Sequence, residues 1–394
     1  MQRRRFGKTG MDLSVMSFGA MRIIPEDNES ADDAKARASN TMLRALEVGI
    51  NHIETARGYG QSEEIIGQNL ADGTIKREDF YLTTKIGPMD SADEFRKALD
   101  DSMSRMGVSF VDNLDLHGIN TTELLDQSIR KGGCWDAIEQ AMDEKIVGHI
   151  GFSTHAPLDV ILATINTDLF ESINVHYYFI NSRNKEAVEL ATKKDMGVFI
   201  ISPTDKGGQL FKPSDRLREL CAPWTPIEMN QRWLLSQPEV HTLSLGCERP
   251  SEFDAHLSMA NRVHGPLDAE DNAIFGHLAT AMASVGDTWC SFCHACLPCP
   301  EDIQIPEILR LRNLVKAYDM TEFGKYRYNM LVQRDPETGE SKGGANHWFP
   351  GNSAAFCTDC GDCLPRCPLN LNIPLLIRET HDLVVGEVGK RLWA

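Results

Sequence analysis

Between about residues 12 and 262, short apolar runs alternate with longer amphipathic ones, and this alternation constrains the fold more than any other feature of the chain. The apolar runs fall at 13–18, 50–53, 80–84, 111–116, 147–152, 172–175, 198–201 and 241–245. Helical patterns fill the gaps, at 33–47, 62–70, 92–106, 134–145, 158–165, 185–193, 227–235 and 251–259. Eight strand–helix units imply a parallel sheet with right-handed crossovers. Eight units in roughly 250 residues fit a closed (β/α)₈ TIM barrel better than an open doubly wound sheet. No G-x-G-x-x-G follows the first run, which further disfavours a dinucleotide-binding Rossmann domain. At 394 residues the chain has room for a second, smaller module.

Charge and targeting signals narrow the class. A net charge of −17 sets the surface against a phosphate backbone, so no nucleic acid and no membrane is expected as a partner. No run approaches the ~20 apolar residues that span a bilayer. Arg3, Arg4 and Arg5 open the chain like a twin-arginine signal, but no apolar segment follows them. Gly7-Lys8-Thr9 lacks the earlier glycine and the preceding strand of a phosphate loop. A cytoplasmic protein is therefore expected. In a reducing compartment, closely spaced cysteines hold metal more often than they form disulfides. Eight of the eleven cysteines lie between Cys290 and Cys367. Cys134, Cys221 and Cys247 are scattered and read as small buried side chains.

Barrel active sites sit at the C-terminal ends of the strands, so the residues just past each apolar run matter most. Glu54 and Tyr59 follow the second run, Lys85 the third, His117 the fourth, and Ser153, Thr154 and His155 the fifth. Acid, phenol, amine and imidazole on neighbouring strands suit proton donation to a substrate oxygen. A tyrosine with an ordinary pKa of about 10 is a weak acid at pH 7. A lysine ammonium beside it stabilises the phenolate and lowers that value, a carboxylate holds the lysine, and a histidine orients the carbonyl.

These motifs, in this order, resemble the aldo-keto reductase family. The resemblance is carried by Asn51-His52-Ile53-Glu54-Thr55-Ala56-Arg57-Gly58-Tyr59-Gly60, Leu82-Thr83-Thr84-Lys85, Leu114-Asp115-Leu116-His117 and Gly151-Phe152-Ser153, with Arg5-Phe6-Gly7-Lys8-Thr9-Gly10 as the opening turn. It covers roughly residues 1–262. It implies NAD(P)H-dependent reduction of a small-molecule carbonyl, or the reverse alcohol oxidation. Tyr59 would be the general acid, Lys85 its pKa-lowering partner, and His117 the carbonyl-orienting group. Glu54 stands where the family has aspartate. The resemblance also implies a site for NADP or NAD. Ser153 and Asn174 would hold the nicotinamide, Lys206 and Gly207 would lie beside the pyrophosphate, and Gly246 and Arg249 would meet the adenosine phosphate. Asn174 replaces the usual glutamine, Ile201 a common aromatic, and Glu248 a typical serine. Glu248 and Glu252 are expected to flank Arg249 and to weaken discrimination between NADPH and NADH.

From Trp289 the sequence changes character. Cys290-x₂-Cys293-x₂-Cys296-x₂-Cys299-Pro300 is followed by Cys357-x₂-Cys360-x₂-Cys363-x₃-Cys367-Pro368. The second run has the bacterial ferredoxin spacing, in which the fourth cysteine ligates the other cluster. The first is one residue short in its last spacer. Cys299-Pro300-Glu301-Asp302-Ile303-Gln304-Ile305-Pro306 is echoed by Cys367-Pro368-Leu369-Asn370-Leu371-Asn372-Ile373-Pro374, and each copy enters a helical run, at 307–317 and 375–383. Two [4Fe–4S] clusters are expected, with crossed ligation; two Cys₄ zinc sites are the alternative. The tail resembles the iron–sulfur extension of some aldo-keto reductases.

The expected architecture is thus a barrel over residues 1–284 followed by a mainly α-helical, ferredoxin-like iron–sulfur domain over 285–394. The expected activity is hydride chemistry in the barrel coupled to electron transfer through the clusters, with a ferredoxin, flavodoxin or other redox partner. The alternative is an iron–sulfur carrier or redox sensor on a barrel without reductase activity.

Overall fold

The computed structural model describes residues 1–262, 265–335, 337–344 and 349–386. An antiparallel hairpin of β1 (Arg3–Arg5) and β2 (Asp12–Ser14) opens the chain. Eight parallel strands follow: β3 (Met16–Gly19), β4 (His52–Glu54), β5 (Tyr81–Ile86), β6 (Val111–His117), β7 (Val147–Ser153), β8 (Ser172–Val175), β9 (Gly197–Ile200) and β10 (Thr242–Leu245). They pair in chain order and β10 closes on β3. The barrel is the expected one. The expected run 13–18 is split, because β2 turns back to pair with β1 while β3 joins the barrel.

The helices obey their local signals. Ser91 accepts from the Glu94 N–H to start Ala92–Met106, and Gly107 ends it at φ +63°. Leu158–Ile165 and Lys185–Lys193 also have the expected bounds. Two crossovers hold a helix the periodicity did not reveal: Thr122–Ile129, capped by Thr121 and followed by Cys134–Asp143, and Asp215–Cys221, capped by Ser214.

Strand alternation decides what lines the barrel. Ile53, Leu82, Leu114, Ile173, Val198 and Leu243 are buried on the helix side. The interior is polar instead of the branched apolar layers usual in such barrels. Ser17 Oγ bridges His52 Nδ1 and Thr242 Oγ1, both at 2.7 Å, and His52 Nε2 meets Thr83 Oγ1 at 2.8 Å. Burial, helped by Lys85, pushes His52 down to about 3, so it is neutral at pH 7. At the N-terminal end of the strands the hairpin supplies a plug, where Phe6, Met11 and Leu13 pack on Phe199. The site residues are delivered to the opposite end.

The chain divides into two compact units. One is Met1–Gly207 with Asn230–Pro266; the other is Gly208–Met229 with Leu267–Ala394. A single boundary at 284/285 does not coincide with this division. The helix Ala269–Ala283 and the segment around Asp215–Cys221 group with the C-terminal part for a local reason. Tyr318 donates to the Leu278 carbonyl at 3.0 Å, and Ser214 and Arg216 donate to the carbonyls of Tyr318 and Ala317 at 2.5 and 2.7 Å. The second unit is mainly helical, with Ile305–Tyr318 and Ile373–Val384 each entered through an Ile-Pro step. Those helices begin two residues before the expected runs because proline is tolerated in a helix's first turn.

Candidate active site

Four neighbouring strands bring the predicted polar residues to one end of the barrel. Glu54 ends β4, Lys85 is next to last in β5, His117 ends β6 and Ser153 ends β7. Tyr59 sits in a tight turn past β4, where its N–H donates to the Ala56 carbonyl at 2.9 Å and its own carbonyl accepts from Ser62 N–H at 3.0 Å. The Arg57 N–H ties that turn to the Lys85 carbonyl at 3.0 Å.

The buried Lys85 is the hub. Its Nζ contacts Glu54 Oε2, donates to the Thr55 carbonyl at 2.8 Å and reaches the Tyr59 hydroxyl at 3.3 Å. The Tyr59 ring stands edge-on to His117, with centroids 5.6 Å apart. All four predicted members of the set are therefore together. Burial pushes the Tyr59 hydroxyl up to about 12; Lys85 pulls it down while Glu54 and Asp115 push it up, and burial wins. Lys85 thus lowers the value as expected, and burial outweighs it. Burial also opposes the Lys85 charge, but Glu54, Tyr59 and Asp115 together raise its pKa. Tyr59 thus holds its proton, and Lys85 its charge, at pH 7.

Asp115 is a buried carboxylate that in sequence is only one residue of the Leu114-Asp115-Leu116-His117 motif. It lies opposite Lys85 in the β5–β6 register and accepts from Asn113 Nδ2 at 2.8 Å. Burial, against the pull of Lys85, pushes it up to about 6. Between an unfolded value of about 4 and that folded value, the native state keeps a proton the unfolded chain has lost, so stability falls as pH rises through this window. Asp115→Asn removes that loss. The variant is expected to gain melting temperature over the parent at pH 7 and not at pH 4; thermal melts with the same offset at both values would sink this account.

The predicted nucleotide residues are partly assembled. Ser153 and Asn174 are direct neighbours in the β7–β8 register, both buried. Ser153 Oγ accepts from the Gly118 N–H at 3.2 Å, and Asn174 Oδ1 is buried without a hydrogen-bond partner. A Cβ on Gly207 would come within 1.7 Å of the Pro203 carbonyl oxygen, so only glycine permits this turn. The Lys206 N–H closes the same loop on the Ser202 carbonyl at 3.1 Å. Gly246 directly follows β10, beside the Arg22 side chain.

Around Arg249 the expectation fails in detail. Its Nη2 lies 2.8 and 2.9 Å from the two carboxylate oxygens of Glu26, a residue from the β3–β4 connection. Glu248 instead faces Arg22 at 3.4 Å, and Glu252 accepts the Glu248 N–H at 2.9 Å. Arg22 also pairs with Asp205 at 3.6 Å. Glu26 and Arg22 carry no sequence motif, and only the folded loops bring them here.

In the second unit the eight cysteines of the two runs form no disulfide. Cys299, Cys357, Cys360 and Cys363 line one small cavity. The two runs match in left-handed backbone at three equivalent positions: Phe292, His294 and Asp302 have φ of +60°, +62° and +50°, and Asp359, Gly361 and Asn370 have +57°, +81° and +53°. Among the described residues no group of three or more His, Cys, Asp or Glu side chains stands ready to hold a metal ion.

A closed parallel barrel with this set at its C-terminal end defines an NAD(P)-linked oxidoreductase, and the sequence profile described as "Aldo/keto reductase family" matches residues 15–278. The chain belongs to that family, whose members use NADP or NAD. It is similar to the uncharacterized oxidoreductase YqkF of Bacillus subtilis, 24% identical over 66% of this chain and 92% of that protein. It is also similar to L-galactose dehydrogenase of Arabidopsis thaliana, 28% identical over 52% of this chain and 66% of that one. Among solved structures, the holo form of aldo-keto reductase AKR11C1 from Bacillus halodurans covers 70% of this chain and 96% of its own at 22% identity, with a TM-score of 0.60. The family match ends before Cys290. Among the described residues no helix is long and apolar enough to cross a membrane.

Proposed function

We propose that the barrel reduces a small-molecule carbonyl, or oxidises the corresponding alcohol, and that the cysteine-rich unit carries single electrons through two [4Fe–4S] clusters to or from a ferredoxin, flavodoxin or similar partner in a reducing compartment. The observation that carries the barrel half is Lys85 Nζ, in contact with Glu54 and 3.3 Å from the Tyr59 hydroxyl. Tyr59 donates the proton to the carbonyl oxygen in reduction and accepts it in oxidation. Lys85, held by Glu54, stabilises the phenolate left behind, and His117 fixes the oxygen over Tyr59.

The residues present fit a nicotinamide nucleotide. The unpartnered Asn174 Oδ1 can accept from a carboxamide, with Ser153 beside it. Bound there, the nucleotide supplies the hydride. In the second unit, the C-x₂-C-x₂-C-x₃-C-P spacing of the second run fits iron–sulfur ligation better than the two separated C-x₂-C pairs of a zinc site. Cys290, Cys293, Cys296 and Cys367 would hold one cluster, and Cys357, Cys360, Cys363 and Cys299 the other. The test is anaerobic purification with an optical spectrum and iron count, followed by NADH and NADPH titration and a carbonyl-dependent oxidation assay. No bound nucleotide, or stoichiometric zinc without iron, overturns the corresponding half.

Nucleotide preference follows from Glu26. A 2′-phosphate reaching Arg249 must displace a half-exposed carboxylate, and exposed ion pairs are worth about 0–1 kcal/mol. NADPH therefore loses most of its usual advantage, and the two nucleotides are expected to bind within about tenfold, a window of ~1.4 kcal/mol. Glu26→Gln should tighten NADPH and leave NADH unchanged, most clearly at low salt. Equal titrations before and after that substitution would remove Glu26 from the account.

A further inference from the structure

The catalytic carboxylate of this barrel is a glutamate, and the extra methylene has to be accommodated. The structure shows where it goes. Gly19, at the end of β3, lies opposite Glu54 in the register with β4, and β3 pairs on its other edge with β10, which carries Ser244. A Cβ placed on Gly19 would lie 2.6 Å from Ser244 Oγ and 2.9 Å from Glu54 Oε1. The space of a missing side chain is thus filled by a carboxylate oxygen and a hydroxyl. Within it Ser244 Oγ donates to Glu54 Oε1 at 2.9 Å, and both residues are buried. With Oε1 held by Ser244, Oε2 is the oxygen turned to Lys85.

Glutamate has one more rotatable bond than aspartate, and a buried carboxylate without a second anchor could meet Lys85 in several ways. We propose that Ser244 is a positioning residue for the reaction, and that Gly19 and Ser244 together let a glutamate hold Lys85 where Tyr59 needs it. This rests on Tyr59 being the proton donor. Gly19 has φ −87°, so its glycine identity here answers to space and not to a left-handed backbone. Gly19→Ala therefore probes the carboxylate's seat with little backbone strain.

The experiment compares Ser244→Ala, Ser244→Thr, Gly19→Ala and Glu54→Asp, singly, with Gly19→Ala/Glu54→Asp as the paired variant. The full-length holoprotein is assayed with saturating nucleotide and an aromatic aldehyde such as 4-nitrobenzaldehyde. Ser244→Ala should lower kcat about tenfold, the scale of one buried hydrogen bond to a charged group, with KM and nucleotide Kd within twofold. Ser244→Thr should recover most of that loss. Gly19→Ala should cost at least as much, because the new methyl expels the carboxylate. Glu54→Asp alone should lower kcat, since the shorter chain cannot reach both Ser244 and Lys85. Added to Gly19→Ala, the same Glu54→Asp change should restore at least threefold, because the carboxylate then leaves the crowded space. An unchanged kcat in Ser244→Ala, or simple multiplication of the Gly19→Ala and Glu54→Asp losses, overturns the proposal. Melting curves identify any variant that fails to fold, and nucleotide titration reports a misfolded site separately. Retained activity in Tyr59→Phe would instead overturn the proton-donor reading itself, whatever Ser244 does.

Discussion

Tyr59→Phe is expected to lower carbonyl-reductase kcat by at least ~10²-fold while nucleotide affinity stays within twofold. The substitution deletes the hydroxyl that Lys85 approaches at 3.3 Å and keeps the ring that stands edge-on to His117. Packing in the turn should therefore survive, and the loss should appear in kcat and not in binding. The pH dependence has a definite sign. Burial pushes Tyr59 up to about 12, so in reduction the acid stays protonated and its contribution is flat from pH 6 to 9. In alcohol oxidation the phenolate is the active base, and the rate should climb with pH across that range. Steady-state kinetics in both directions check this, and near-full turnover in the Phe variant would mean that another group delivers the proton.

Much of the catalytic half was legible before folding because the signals are local. A strand end fixes which side chains reach the mouth, so Glu54, Lys85, His117 and Ser153 could be picked from the residues closing or following each apolar run. What escaped depends on contacts between distant loops. Asp115 sits inside a motif that reads as an ordinary strand, and only the β5–β6 register sets it opposite Lys85. Ser244 is next to last in an apolar run and lies 190 residues from Glu54. Glu26 and Arg22 lie in a connection without periodicity, and folding alone brings Glu26 to Arg249 and Arg22 to Glu248. The net direction of the Tyr59 pKa was not legible for a related reason. A charge partner is visible in sequence, whereas the depth of burial that outweighs it is not. The helix Ala269–Ala283 reads as an extension of the barrel by position, yet its hydrogen bond from Tyr318 belongs to the C-terminal unit.

Cys299→Ala and Cys357→Ala are expected to remove the same cluster, and Cys367→Ala and Cys290→Ala the other. Each single substitution should take the anaerobic protein from about eight irons per chain to about four. The pairing is that of the proposed crossed ligation. Its geometric support is the small cavity lined by Cys357, Cys360 and Cys363 together with Cys299. There the fourth thiol comes from the opposite run. The matched left-handed residues, at Phe292 and His294 in one run and Asp359 and Gly361 in the other, give both loops the same turn. The Cys-Pro steps at Cys299 and Cys367 then start equivalent stretches leading to Ile305–Tyr318 and Ile373–Val384, so the proposed swapped fourth ligand would tie each helix to the other run's loop. Losing one such ligand should therefore destabilise the second unit well beyond one side chain's packing, and limited proteolysis should cut it first. Reduced-state spectra of the four variants separate the arrangements. If Cys299→Ala loses the same signal as Cys290→Ala, each run serves its own cluster. If all four variants keep full iron, the cysteines have another role.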